Sequence, residues 1–371
     1  MAKDIQRILI VGSGPVGCYV ARLLKEKDQK LDIRIIEEHS EIGRPVHCAG
    51  LVSKDVFSQM QFDLKGSAVI NRIDGAEFFL NGDNFTIARK DVALVIDREQ
   101  FDQALGSGLG IDFDTRFMGI EKEREGYLVE TDRKEYYADV VIGADGAASS
   151  VRRVAGFAEE LSYLRGAQFR IKHTKRNSHF VSVYLKSPSF AWVIPEGDET
   201  VRAGIISQNP YHDLIDFLQE HHIEGDILEK FAGVVPLGRC ASQNGNIFLV
   251  GDAACQVKPL THGGVYYGMR CAEILAECLA SRRFPEYEKL WRSRFGNEIN
   301  VGLKVRQLYQ RLSKDNLQRL FSVFKDNASL LEEFGDFENH SKVISAIIRN
   351  TSFQSMLGKI FIDLIRETVN F

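Results

Sequence analysis

Near the N-terminus, Gly12, Gly14 and Gly17 follow a β-branched run in G-x-G-x-x-G spacing. The first glycine suits a tight turn, the second a close backbone approach to pyrophosphate, and the third close helix–strand packing. Pro15 opens the apolar helix that follows, and a helix N-terminus favours phosphate. Glu37 ends a second strand, "IRIIEE", twenty residues past Gly17. A carboxylate there accepts hydrogen bonds from both ribose hydroxyls and disfavours a 2′-phosphate. Strand, turn, helix and acid together point to a bound dinucleotide. Two more strands end in Asp145-Gly146 and Gly251-Asp252, and Arg98 starts a helical pattern in "DREQFD". A carboxylate at such a strand end can bind sugar hydroxyls, and the Arg98 guanidinium can reach a phosphate or a ring edge.

A second group has no polar chemistry. In "SPSFAWVIP", Phe190, Trp192 and Ile194 alternate between two prolines. Residues two apart in a strand share a face, so the three make one apolar wall. Such a wall binds by buried area, at roughly 25 cal/mol per Å², and suits a ligand with nothing to hydrogen-bond. The same residues would also fill a core between sheet and helices.

Taken in this order, the pieces resemble the flavoprotein hydroxylase superfamily, the p-hydroxybenzoate hydroxylase-like fold, over about residues 5 to 285. The resemblance implies FAD as cofactor, with Asp252 on the ribityl hydroxyls and Phe117 among the cofactor contacts. It implies an α/β fold: a Rossmann-type FAD-binding domain, an inserted antiparallel-sheet substrate domain and a C-terminal helical region. The boundaries expected are 1–65 with 97–159 and 237–286 for FAD, 66–96 with 160–236 for substrate, and 287–371 for the helices. In "KPLTHGGVYYGMRCAEILAECLAS", the backbone N–H groups of Gly264 and Val265 would face the flavin pyrimidine from a helix N-terminus. That end of a helix favours the negative charge of reduced flavin.

"EIGRPVHCAGLVS" closely resembles the segment that sets cysteine, alanine and glycine beside the flavin in geranylgeranyl reductases, the archaeal digeranylgeranylglycerophospholipid reductases included. Their second signature, P-x-x-Y-x-W-x-F-P, reads here with Phe190 for tyrosine and Ile194 for phenylalanine. The resemblance implies saturation of isoprenoid double bonds, by hydride to one carbon and a proton to the other. Cys48 and Ala49 would then lie against the ring, and Phe190, Trp192 and Ile194 against the isoprenoid. Cys48 is the candidate proton donor, since an unperturbed thiol titrates near about 8.5; its rival role is packing. His262 stands where the family carries a small residue, and Leu51 where it often carries glycine. "FAWVIP" is also similar to the W-x-W-x-I-P of flavin-dependent halogenases. An oxygen-using halogenase or hydroxylase, and a non-catalytic isoprenoid carrier, therefore stay open.

The remaining composition narrows the class. A net charge of −4 argues against a general nucleic-acid binder. No apolar run spans a bilayer. The six cysteines form no C-x-x-C pair, which argues against a metal site and for reduced thiols in a cytoplasm. Residues 351–371 place Phe353, Leu357, Ile360 and Leu364 on one helical face, expected to dock over the cavity. The mildly basic stretch 282–311 leaves contact with the inner face of the membrane open. With one nucleotide signature present, the electron donor is expected to be a reduced ferredoxin-type carrier or NAD(P)H.

Overall fold

The structure, a computed structural model, describes residues 6–62, 64, 68–174, 177–186 and 189–349. The helix expected over 351–371 lies outside the described residues, as does Pro188.

A six-stranded sheet is built around Arg7–Val11. Its order is Gln243–Asn244, Ile247–Leu249, Val140–Gly143, Arg7–Val11, Asp32–Ile36 and Ile111–Asp112. All pairs are parallel except the edge pair Gln243–Asn244 with Ile247–Leu249. Parallel strands are covered on both faces, which explains why Val140–Gly143 is buried throughout. Helix Pro15–Lys27 crosses from Arg7–Val11 to Asp32–Ile36 and packs Tyr19, Leu23 and Leu24 into a core shared with helix Val265–Ala280. A three-stranded meander, Phe117–Glu123, Gly126–Thr131 and Glu135–Ala138, flanks this layer. This is the expected α/β nucleotide fold.

The second sheet has eight strands: Ile227–Cys240, Glu159–Lys172, Thr200–Ile206, Ser189–Pro195, Phe180–Lys186, Val69–Leu80, Asp83–Ile96 and Leu51–Ser53. Expected to be antiparallel, it carries one parallel seam, where Phe180–Lys186 pairs with Val69–Leu80. Those strands belong to separate passes of the chain, and without a hairpin between them no turn imposes an antiparallel pairing. Leu51–Ser53 comes from the stretch read with the nucleotide pieces, yet it pairs with Asp83–Ile96.

The sheet's two faces differ. On one, Phe169, Ala191, Val193, Ala203 and Ile205 pack under helix Pro210–Glu220 through Leu214 and Phe217. The other faces a cavity roofed by the C-terminal helices Asn297–Gln310, Lys314–Asp326, Ala328–Phe334 and His340–Arg349. Phe85 joins sheet to roof, stacked on Phe78 with ring centroids 5.1 Å apart and meeting Phe321 edge-on at 5.0 Å.

Candidate active site

One continuous cavity of about 1870 Å³ runs from the glycine turn to the roof helices. Single-ligand pockets are usually roughly 300–1,000 Å³, so this one has room for a cofactor and a long substrate together.

At the nucleotide end, the glycines divide their work as their spacing predicted. A Cβ on Gly17 would lie 2.1 Å from the Gly12 carbonyl oxygen, and one on Gly12 2.5 Å from that of Ala144. A Cβ on Gly14 would meet nothing within 4 Å. The middle glycine therefore borders open space at the start of helix Pro15–Lys27, where a phosphate can approach.

Glu37 lines the cavity in the expected place, but its carboxylate is already occupied. Oε2 accepts from the Ser13 N–H and hydroxyl, both at 2.8 Å. Oε1 accepts from the His39 N–H at 3.0 Å and meets His39 Nδ1 at 2.6 Å. A carboxylate offers about four lone-pair sites, so a ribose hydroxyl could bind there only by displacing one of these partners, the Ser13 hydroxyl or the His39 ring.

Asp252 is the opposite case. Its carboxyl is half-buried at the cavity wall, and no hydrogen-bond donor among the described residues reaches it. Burial pushes its pKa up to about 6, against the opposing pull of Arg98. An acceptor that faces a cavity without donors fits a polyhydroxyl ligand. Gly264, which precedes helix Val265–Ala280, sits so close that a Cβ there would be 2.5 Å from Asp252 Oδ1. Together, an open glycine turn, an unpaired acid and a helix N-terminus fit a flavin dinucleotide.

Where the cavity turns from polar to apolar, the segment Cys48-Ala49-Gly50 is held by a residue whose role the sequence concealed. Arg202, on strand Thr200–Ile206, is 7% exposed and donates to the Ala49 carbonyl at 2.8 Å and the Ile96 carbonyl at 3.1 Å. Glu196 completes its shell at 2.6 Å. Gly50 has φ +72°, and a Cβ there would collide with the Arg202 guanidinium at 2.1 Å. In "VRAGIIS" the arginine had read only as strand alternation. Arg98 starts helix Arg98–Gly106 as expected, behind an Asp97 cap. Its guanidinium grips Asp102 in two bonds, 2.9 and 3.2 Å, and lies near enough to Cys48 for the two to interact electrostatically. It thus lines the cavity beside Cys48. Cys48 is half-buried and unpaired, and its sulfur accepts from the Gly50 N–H at 3.3 Å. Phe117 is buried with Val11 and Ile36 at the cavity's nucleotide end.

The alternating triplet lands on one face. Phe190, Trp192 and Ile194 line the cavity, while Ala191 and Val193 point into the core beneath. Trp192 lies over Gly204, where a Cβ would be 2.3 Å from the indole, and Nε1 donates to Gln168 Oε1 at 2.9 Å. The strand registers extend this wall. Gly204 faces Trp192, Trp192 faces Val183, Val183 faces Phe78 and Phe78 faces Phe85. At about 4.8 Å per strand, this apolar row spans roughly 19 Å.

His262, where the family carries a small residue, stacks on Phe190 with centroids 5.3 Å apart and planes 3° from parallel. Its Nε2 meets Arg306 Nη1 at 3.1 Å, and burial pushes its pKa down to about 3. All six cysteines are free thiols, as expected. No helix among the described residues is long and apolar enough to cross a membrane.

Comparison with known proteins agrees with this architecture. Residues 10–71 match the family described as an NAD(P)-binding Rossmann-like domain. The chain is 31% identical to digeranylgeranylglycerophospholipid reductase 1 of Methanococcoides burtonii, over 87% of this chain and 88% of that protein. It is 30% identical to an uncharacterised protein of Methanocaldococcus jannaschii, over 94% and 96%. A solved structure from Thermoplasma acidophilum, described as geranylgeranyl bacteriochlorophyll reductase-like, superposes with a TM-score of 0.83 at 22% identity, covering 97% of this chain and all of that one.

Proposed function

Because the chain belongs to the digeranylgeranylglycerophospholipid reductase family, we propose that it uses FAD to reduce carbon–carbon double bonds in the isoprenoid chains of membrane-lipid precursors. The observation that carries this reading is the in-register apolar row from Trp192 to Phe85, in one cavity with the Cys48 segment and the nucleotide turn. An isoprenoid has no hydrogen-bonding groups along its length, and the row asks for none.

Reduced FAD, when bound, supplies the hydride. Gly12, Gly14 and the helix start at Pro15 would hold its pyrophosphate, Glu37 its ribose and Asp252 its ribityl hydroxyls. Gly264 and Val265 would face its pyrimidine edge, and Ala49 and Phe117 would pack against it. Trp192, Phe190 and Ile194 exclude water and align the chain. Cys48, beside Arg98, gives the proton to the carbon that does not receive hydride. Electrons come from a reduced ferredoxin-type carrier or NAD(P)H, and the rate of flavin bleaching with each tells them apart.

The test is mass spectrometry of digeranylgeranylglycerophospholipids incubated with reduced, FAD-loaded protein without air. Products heavier by pairs of hydrogen atoms are expected; oxygen- or halide-containing products formed only in air would overturn the reading. Cys48→Ser should bind FAD normally and lose on the order of 10²-fold in turnover, the usual size of a lost general acid. Full activity in that variant would remove Cys48 from the chemistry.

A further inference from the structure

Among the described residues, Arg306 is a buried cation without an anion. It lines the cavity from helix Asn297–Gln310 and is 8% exposed. No carboxylate among the described residues pairs with it, and its polar partner there is the neutral ring of His262. The neighbouring buried cation, Lys258, is already matched by Glu338 at 2.9 Å. An uncompensated buried charge is costly, so it persists where a ligand supplies the opposite charge.

The helix is set to present this group. Gly302 packs on Pro259, where a Cβ would come within 2.9 Å of the ring, so the helix lies close against the 258–264 loop. One turn on, Arg306 meets His262; Tyr309 then donates to the Ser189 carbonyl at 3.0 Å, next to Phe190. An arginine only donates, so His262 Nε2 accepts and the ring proton sits on Nδ1. That Nδ1–H is buried and has no partner. His262 is also held at φ +63°, a conformation that strains any side chain bearing a Cβ. Strain, an orphan donor and an unpaired guanidinium thus meet at one point of an otherwise apolar wall.

We propose that Arg306 and His262 receive the phosphoryl group of an isoprenoid substrate, anchoring its polar end beside Phe190 and so selecting which double bond is presented. This rests on the reductase reading. A guanidinium fork suits phosphate geometry, and a charged hydrogen bond in a dry site discriminates strongly.

Calorimetric titration of the FAD-loaded protein tests it without turnover. Geranylgeranyl phosphate should bind at least about tenfold more tightly than geranylgeraniol, the factor expected for one charge-assisted bond. In Arg306→Gln that gap should close through the phosphate alone, with the alcohol's Kd unchanged. His262→Gly removes the orphan donor and relieves the strained backbone, so it should fold and narrow the gap even if Arg306→Gln does not fold. Digeranylgeranylglyceryl phosphate, run in parallel, separates a lipid headgroup from a prenyl phosphate: the one that loses affinity in the variants is the group the site reads. Equal Kd values for phosphate and alcohol, or a gap that survives both substitutions, would overturn the phosphoryl site and leave the reductase reading standing. Binding of neither isoprenoid would overturn both.

Discussion

Asp252 and Arg306 are both charged groups lining one cavity without a partner of opposite charge bonded to them among the described residues, and each implies a ligand of opposite need. Raising a carboxyl pKa from 3.8 to about 6 means the folded state holds its proton more tightly than the unfolded chain. The sign follows: this group's contribution to stability falls as pH rises from about 4 to 6, and above that the ionised form costs up to about 3 kcal/mol. Flavin-stripped Asp252→Asn should therefore melt higher than the parent at pH 7, and the advantage should shrink at pH 4.5. The same variant should bind FAD more weakly, because ribityl hydroxyls stabilise the carboxylate they donate to. Melting curves at the two pH values check the first claim and flavin titration the second. Asp252 and the glycines were readable because backbone geometry fixes their spacing within a few residues. Arg306 was not, because its meaning lies in the absence of a partner, and partners are chosen by folding. In the sequence it was one more cation in a mildly basic stretch.

Strand Ser189–Pro195 shows how far periodicity alone can reach. Its alternation correctly divided Phe190, Trp192 and Ile194 from Ala191 and Val193. What lies beside it depended on register, which no local pattern carries. Gly204 sits opposite Trp192 and leaves the indole room to lie flat. Gly204→Ala should tilt that ring, shift tryptophan fluorescence and cost about 1–3 kcal/mol, the usual price of overpacking. Unchanged emission and stability would show that the indole has slack. Arg202, on the same neighbouring strand, works through the Ala49 and Ile96 carbonyls and is a positioning residue. Arg202→Lys keeps the charge near Glu196 but loses the fork that spans two acceptors. Turnover should fall about tenfold or more while KM changes little, and amide exchange at Ile96, which bonds the Gly50 carbonyl at 2.8 Å, should quicken. A purely structural role would lower stability and leave the turnover of folded enzyme unchanged. The parallel seam between Phe180–Lys186 and Val69–Leu80 was hidden for the same reason as the register: it joins segments roughly a hundred residues apart.

Taken whole, the molecule sets an apolar sheet face between a nucleotide layer and a helical roof, and the division of labour follows from which elements touch. One of the roof's ties is buried at the cofactor loop. Lys258 pairs with Glu338 and donates to the Phe337 carbonyl at 2.9 Å, while the Tyr267 hydroxyl donates to the Glu338 carbonyl at 2.7 Å. These contacts hold the cofactor loop to the roof, so chain length is expected to be read along the row beside them. Val183 is the middle member of that row, with Trp192 on one side and Phe78 on the other. Val183→Trp would fill the track at its midpoint without touching the glycine turn, Asp252 or Cys48. A short isoprenoid lies on the near half of the row, so reduction of geranyl substrates should persist at close to the parent rate. Geranylgeranyl substrates need the far half and should lose at least about tenfold in kcat/KM, as expected when a long chain forfeits several buried methylenes at about 0.8 kcal/mol each. FAD absorbance and melting temperature serve as the folding control, with Val183→Phe as the milder substitution. Equal losses on both substrates would mean that the chain does not lie along this row, and that the isoprenoid crosses the cavity toward the roof instead.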